Sequence, residues 1–77
     1  MINKMIEQVI KDISRQHKDI IVTFTKGAVA DNVLVNMKYY NHTSFLEIPL
    51  AEIYRSSFPE DYFTKLIEDE IKKLKNS

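Results

Sequence analysis

The stretch Asp19-Ile20-Ile21-Val22-Thr23-Phe24-Thr25-Lys26-Gly27 decides the fold. Ile20, Val22 and Phe24 alternate with Ile21, Thr23 and Thr25, so an extended chain sends the two sets to opposite sides. β-Branched and aromatic residues at period two mark a strand. Gly27 is the only glycine of the chain and stands where the run stops, where a backbone angle that a Cβ would resist is expected. Upstream the period changes. Ile2, Met5, Ile6, Val9, Ile10 and Ile13 recur at helical spacing, with Lys4, Glu7, Gln8, Lys11 and Asp12 on the opposite face. Ser14 to His17 complete the last turns, where Arg15 and Lys18 suit the negative end of the helix dipole.

Downstream, the connection from Gly27 to Asn32 holds Ala28, Val29 and Ala30 and is more apolar than a typical surface loop. Val33 to Tyr40 predicts a second strand, with Val33, Val35, Met37 and Tyr39 on one face and Leu34, Asn36, Lys38 and Tyr40 on the other. Asn41-His42-Thr43 is expected to turn the chain, since Asn tolerates left-handed angles. Ser44 to Ile48 predicts the third strand, with Leu46 and Ile48 inward and Phe45 and Glu47 outward. Pro49 ends it and enters a short helix over Leu50 to Ser56. Ser57-Phe58-Pro59-Glu60 has capping-box spacing and predicts the start of the last helix. That helix carries Tyr62, Phe63, Leu66, Ile67, Ile71 and Leu74 as its stripe and ends in Lys72, Lys73 and Lys75.

Three consecutive strands with short connections form an antiparallel meander, because a parallel neighbour needs a long crossover. The expected fold is a single domain over residues 1–77, a two-layer α+β meander of order α-β-β-β-α-α. The N-terminal and C-terminal helices pack on one face of its three-stranded sheet. The expected core joins Phe24, Val35, Met37, Leu66, Ile67 and Ile71 to Ile6, Val9 and Ile13.

Composition removes whole classes of function. Of 77 residues, none is Cys, one is Gly and two are His. This excludes a disulfide framework, a thiolate metal site, a cysteine nucleophile and a glycine-rich phosphate loop. No cofactor and no metal are expected. Eleven basic residues balance eleven acidic ones, so no global charge draws the chain to nucleic acid or an anionic membrane. No secretory or membrane-spanning run is legible, which predicts a cytoplasmic protein. Asn41-His42-Thr43, although it matches the glycosylation sequon, is therefore read as a turn. Ile, Lys and Asn supply 24 of the 77 residues while Arg appears twice, a bias expected of a low-GC bacterium, its phages or mobile elements.

The outward sheet face is the surface most open to function. Ile21, Leu34, Tyr40 and Phe45 give it an apolar and aromatic centre, and Lys38 and Glu47 a polar rim, the composition of a recognition surface. Tyr40 and Phe45 are expected to form a cross-strand pair. The competing expectation is that the terminal helix or the connection holding Val29 covers this face. The two sheet edges, guarded only by Lys26, Lys38 and Pro49, offer a second route, pairing with a target or with a second copy as a homodimer. Tyr39 and Tyr40 fall on opposite sides of their strand and so make no joint platform for stacking bases beside Lys38 and His42. Glu68, Asp69 and Glu70 point about 100° apart along a helix and read as a solvated face rather than a site. His17 extends the buried stripe of the first helix, and neither histidine has a recognisable catalytic partner.

The order of elements resembles that of double-stranded RNA-binding domains. Those domains place basic residues at the start of the last helix, where this chain has Pro59-Glu60-Asp61, so their function is not expected here. In size and order the chain also resembles some anti-CRISPR proteins. The leading expectation is a small non-enzymatic module that binds a protein, an accessory or inhibitor protein of a bacterium, phage or mobile element. The alternative is a nucleic-acid-associated regulator using Lys4, Lys11, Arg15 and Lys18, since residues 1–18 carry a net charge of +2.

Overall fold

One antiparallel sheet of order β1-β2-β3 organises the chain, with β1 over Ile21–Lys26, β2 over Asn32–Tyr39 and β3 over His42–Pro49. Helix α1 (Lys4–Gln16) precedes it, and α2 (Leu50–Arg55) and α3 (Pro59–Lys75) follow. This computed structural model describes residues 4–26 and 31–76. Ile2 of the expected first helix, Gly27 with its expected backbone angle, and Ala28, Val29 and Ala30 lie outside the described residues. The two-layer α+β architecture and the order α-β-β-β-α-α are those that the periodicities predict.

The inward residues of all three strands and the stripes of the helices make one core. Val22, Val33, Val35, Met37 and Ile48 are buried from the sheet, together with Ile6, Val9, Ile10 and Ile13 of α1. Phe63, Ile67, Ile71 and Leu74 of α3 and Ile53 of α2 close it. Phe24 and Leu66, expected inside the core, are half-buried and pack against its margin. Phe24 lies on an edge strand, with no neighbouring strand to cover its outer side. Phe63 is fully buried in its place as the largest core side chain, since it leads the four-residue spacing that continues through Ile67 and Ile71.

Three local expectations change. The β2–β3 turn is Tyr40-Asn41 rather than Asn41–Thr43, because Tyr39 pairs with His42 and β3 begins there. Tyr40 takes the left-handed angle, φ 54°, a conformation that costs roughly 1 kcal/mol for a residue with a Cβ. Its ring meets that of Tyr39 edge-on, with centroids 4.6 Å apart, an attractive aromatic geometry that offsets the cost. The capping box does not form either. The residue before α3 is Phe58, which makes no side-chain cap, and Ser56 Oγ accepts the Phe58 N–H at 3.2 Å. Pro49 caps the start of α2 from outside the helix rather than sitting in its first turn.

Asp31, with φ 67°, brings the chain into β2, and its carbonyl accepts the Leu50 N–H at 2.8 Å. Asp is among the residues that tolerate this angle. That bond ties the start of β2 to the start of α2, so the short helix turns back under the sheet and buries Ile53.

Candidate functional site

Strand alternation and register lay out the outward face in rows. Ile21, Lys38 and Thr43 form one row, Thr23, Asn36 and Phe45 the next, and Thr25, Leu34 and Glu47 the third. No described helix crosses this face, so Ile21 is 64% exposed and Phe45 67%. The expectation that the terminal helix covers it is therefore overturned: α3 packs on the other side, burying Phe63, Ile67, Ile71 and Leu74 against the inward residues. The connection holding Val29 lies outside the described residues.

The register brings some of the expected site residues together and separates others. Leu34, half-buried, is the diagonal neighbour of Phe45 across β2 and β3. Glu47 stands directly opposite Leu34, and its Oε2 accepts a hydrogen bond from Asn32 Nδ2 at 3.0 Å. Lys38 is exposed on the central strand, beside Ile21. Being central, it guards no edge. Ile21 occupies the corner farthest from Glu47, with Thr23, Asn36 and Lys38 between it and Phe45. The face thus has an aromatic side at β3, a polar middle and an isolated apolar corner at β1.

Tyr40 leaves this surface. Asn36, not Tyr40, stands opposite Phe45, so the expected cross-strand pair does not exist. The reason is the shift in the turn: a residue in the loop has no cross-strand position. Tyr40 is 72% exposed at the hairpin tip and contacts Tyr39, although strand alternation would put the two on opposite sides. Lys75 joins the cluster, its Nζ 5.7 Å from the centre of the Tyr39 ring and 3.3 Å from Asp19 Oδ2. The last turn of α3 is thereby held between the α1–β1 connection and the β2–β3 hairpin.

The acidic run of α3 is not simply a solvated face. Glu70 Oε2 accepts a 2.6 Å hydrogen bond from Ser44 Oγ, which points inward from β3. Glu68 Oε2 lies 3.8 Å from His17 Nε2. Asp69, between them, is exposed. The Ser44–Glu70 bond ties α3 to β3, and Glu68 stands beside His17 at the end of α1, pairings of residues far apart in sequence that helical spacing alone does not reveal. Among the described residues, no group of three or more acidic or histidine side chains is placed to hold a metal ion.

On α1, Lys4, Lys11 and Arg15 are exposed, and Lys18 follows in the turn after the helix. Lys11 Nζ lies 3.5 Å from Glu7 and Arg15 lies 3.8 Å from Asp12, so two of the four cations have an acidic neighbour one helical turn away. Sequence reasoning passed over one further apolar surface. Phe58 is 71% exposed where α2 meets α3, and Tyr54 of α2 is exposed as well. Its failure to enter the stripe of α3 follows from its place one residue before the helix. Beside it, Tyr62 donates its phenolic O–H to Glu52 Oε1 at 2.8 Å, and this bond raises the phenol above its ordinary range.

No helix among the described residues is long and apolar enough to cross a membrane. Comparison with protein-family models, curated proteins and solved structures gives no match.

Proposed function

We propose that this chain is a non-enzymatic protein-binding module that engages its partner through the outward face of the sheet. The carrying observation is that this face is left bare by every described helix while Phe45 and Ile21 stand two-thirds exposed on it. A solvated face gains nothing from an aromatic ring at its side, whereas an interface gains a rigid apolar anchor. The partner that fits presents an apolar group to Phe45 and Leu34, a carboxylate to Lys38 and a hydrogen-bond donor to Glu47. Such a module suits a cytoplasmic accessory or inhibitor protein of a low-GC bacterium, phage or mobile element.

The test compares three baits in a low-GC bacterial lysate: the parent chain, Phe45→Ala and Lys38→Glu. The expected result is one protein held by the parent chain and lost by both variants, whose melting temperatures stay at the parent value. A protein held equally by all three baits overturns the assignment of this face. Binding that collapses between low and physiological salt and vanishes in Lys11→Ala/Arg15→Ala instead identifies phosphate contacts along α1.

A further inference from the structure

The two edges of the sheet are chemically unlike, and the hydrogen-bond phase of the strands shows how. Tyr39 and His42 close a two-residue hairpin, and the residues flanking such a loop bond each other across the ladder. The Leu50 N–H to Asp31 carbonyl bond fixes the same phase at the far end, because it brackets Asn32 and Pro49 as a non-bonded pair. In β2, therefore, Val33, Val35 and Met37 direct their backbone groups to β3, and Leu34, Asn36 and Lys38 direct theirs to β1. Their partners Thr25, Thr23 and Ile21 answer them. The backbone N–H and C=O of Val22 and Phe24 consequently point away from the sheet, and no described residue of the chain bonds them. On β3 the same rule turns Thr43, Phe45, Glu47 and Pro49 outward, and Pro49 has no N–H to offer.

Among the described residues, the usual protections are missing from the β1 edge along Ile20 to Thr25, and Lys26 at the end of the strand carries its one charge. Ile20 to Thr25 is an uncharged, β-branched and aromatic run, Ile-Ile-Val-Thr-Phe-Thr, with neither proline nor glycine. Natural sheets blunt such edges with charges, prolines or bulges, or cover them. Phe24 stands half-buried on this edge, its ring partly uncovered.

We propose that the occupant of this edge is β1 of a second copy, paired antiparallel about a twofold axis at Thr23 to make one six-stranded sheet. In that register Val22 and Phe24 of each copy exchange backbone hydrogen bonds with Phe24 and Val22 of the other. On the inward side, each half-buried Phe24 gains a Val22 neighbour, an aromatic–β-branched pair. On the outward side, Thr23 meets Thr23 and each Ile21 meets a Thr25, all favourable cross-strand pairs with no like charges opposed. Thr23, whose backbone is committed to β2, falls at a non-bonded position, where opposite side chains come closest. The pairing also joins the two outward faces into one surface, with an exposed Ile21 on either side of the axis. A strand pair of this length buries less than the roughly 1,200 Å² of a standard complex, so the dimer is concentration-dependent.

Sedimentation velocity of the parent chain from about 10 μM to about 1 mM is expected to show the 9.1 kDa monomer passing into a species of twice that mass. Thr23→Lys opposes two cations on the axis and is expected to weaken the dimer about tenfold or more, with an unchanged melting temperature at low concentration. The chain has no cysteine, so Thr23→Cys gives a single reporter. Cα atoms about 4.5 Å apart across a non-bonded pair lie within disulfide reach. On mild oxidation Thr23→Cys is expected to form covalent dimer at least about tenfold faster than Phe45→Cys, which occupies the corresponding place on β3. A chain monomeric to the highest concentration, equal cross-linking of the two variants, or a Thr23→Lys dimer as tight as the parent overturns the proposal. Phe45→Ala is expected to keep the dimer, which separates failure of the edge pairing from failure of the face as a partner site.

Discussion

The two faces of the sheet are built from the same three strands and differ only in which alternate residues they receive. The inward set, Val22, Val33, Val35, Met37 and Ile48, is nearly all aliphatic, and the three helices bury it. The outward set interleaves Thr23, Thr25, Asn36 and Thr43 with Ile21, Leu34 and Phe45, and nothing described covers it. Two phenylalanines show the contrast. Phe24 is half-buried at the margin of the core, and Phe45 is two-thirds exposed to solvent on the other side of the sheet. An aromatic residue thus joins the core margin on one face and stands in solvent on the other. Strand parity decides which, because a shift of one residue moves every side chain across the sheet.

That contrast can be broken most sharply from the core. Phe63→Ala or Ile67→Ala removes a fully buried side chain of α3 and should cost about 2–5 kcal/mol. Net stability scales at roughly 0.05–0.15 kcal/mol per residue, so a domain this small is expected to lose its cooperative melting transition by circular dichroism. A retained melting temperature would mean that the helices do not share one core with the inward face.

The two phenylalanines give the next effect. Phe24→Ala should destabilise by about 2 kcal/mol, less than a fully buried ring because half the side chain already meets water. Phe45→Ala should stay within about 0.5 kcal/mol in stability while weakening partner binding by about 2 kcal/mol or more. Denaturant melts of both variants check the first pair of values, and titration calorimetry with the captured partner checks the last. Equal destabilisation by the two substitutions would erase the distinction between the faces.

Ser44→Ala probes the inward face at its polar margin. The Ser44 hydroxyl donates to Glu70 at 2.6 Å, and its loss should cost about 1 kcal/mol, read as a lowered denaturant midpoint with an unchanged slope.

The smallest effect lies away from both faces, at Tyr62. Its phenol donates to Glu52, which favours the neutral form and raises the folded-state value above the unfolded one. The stabilisation is therefore fully present below the unfolded value near 10 and is lost as pH rises through the folded one. Glu52→Gln should bring the Tyr62 titration down, as followed by the ring carbon shift in NMR. An unmoved titration would show that the Glu52 carboxylate is not its partner in solution.

Much of this molecule is legible in the order of its residues. The period-two runs at Asp19–Lys26 and Val33–Tyr40 and the helical stripes in α1 and α3 place each element within a few residues. The repeated signals outvote any single position. Turns rest on one or two residues, and there the reading fails. Asn41 looks like the residue for the left-handed angle, yet Tyr40 takes it, because pairing of His42 with Tyr39 leaves only two residues for the loop. The same slip removes Tyr40 from the candidate surface and leaves Phe45 opposite Asn36. The capping-box spacing at Ser57 fails for a related reason: Phe58 precedes the helix directly and Ser56 receives its N–H instead.

The sequence by itself determined the α+β class, the meander, the identity of the inward face and the chemical classes that a chain without cysteine and with one glycine does not support. These follow from periodicity and composition, which are local properties summed along the chain. Only the tertiary structure decided that no described helix covers the outward face, that Glu68 and Glu70 reach His17 and Ser44, and that Lys75 meets both Asp19 and Tyr39. It also decided which backbone groups of β1 point away from the sheet. Each of these depends on which distant segments become neighbours, and on the register and side at which they meet, which no local pattern specifies.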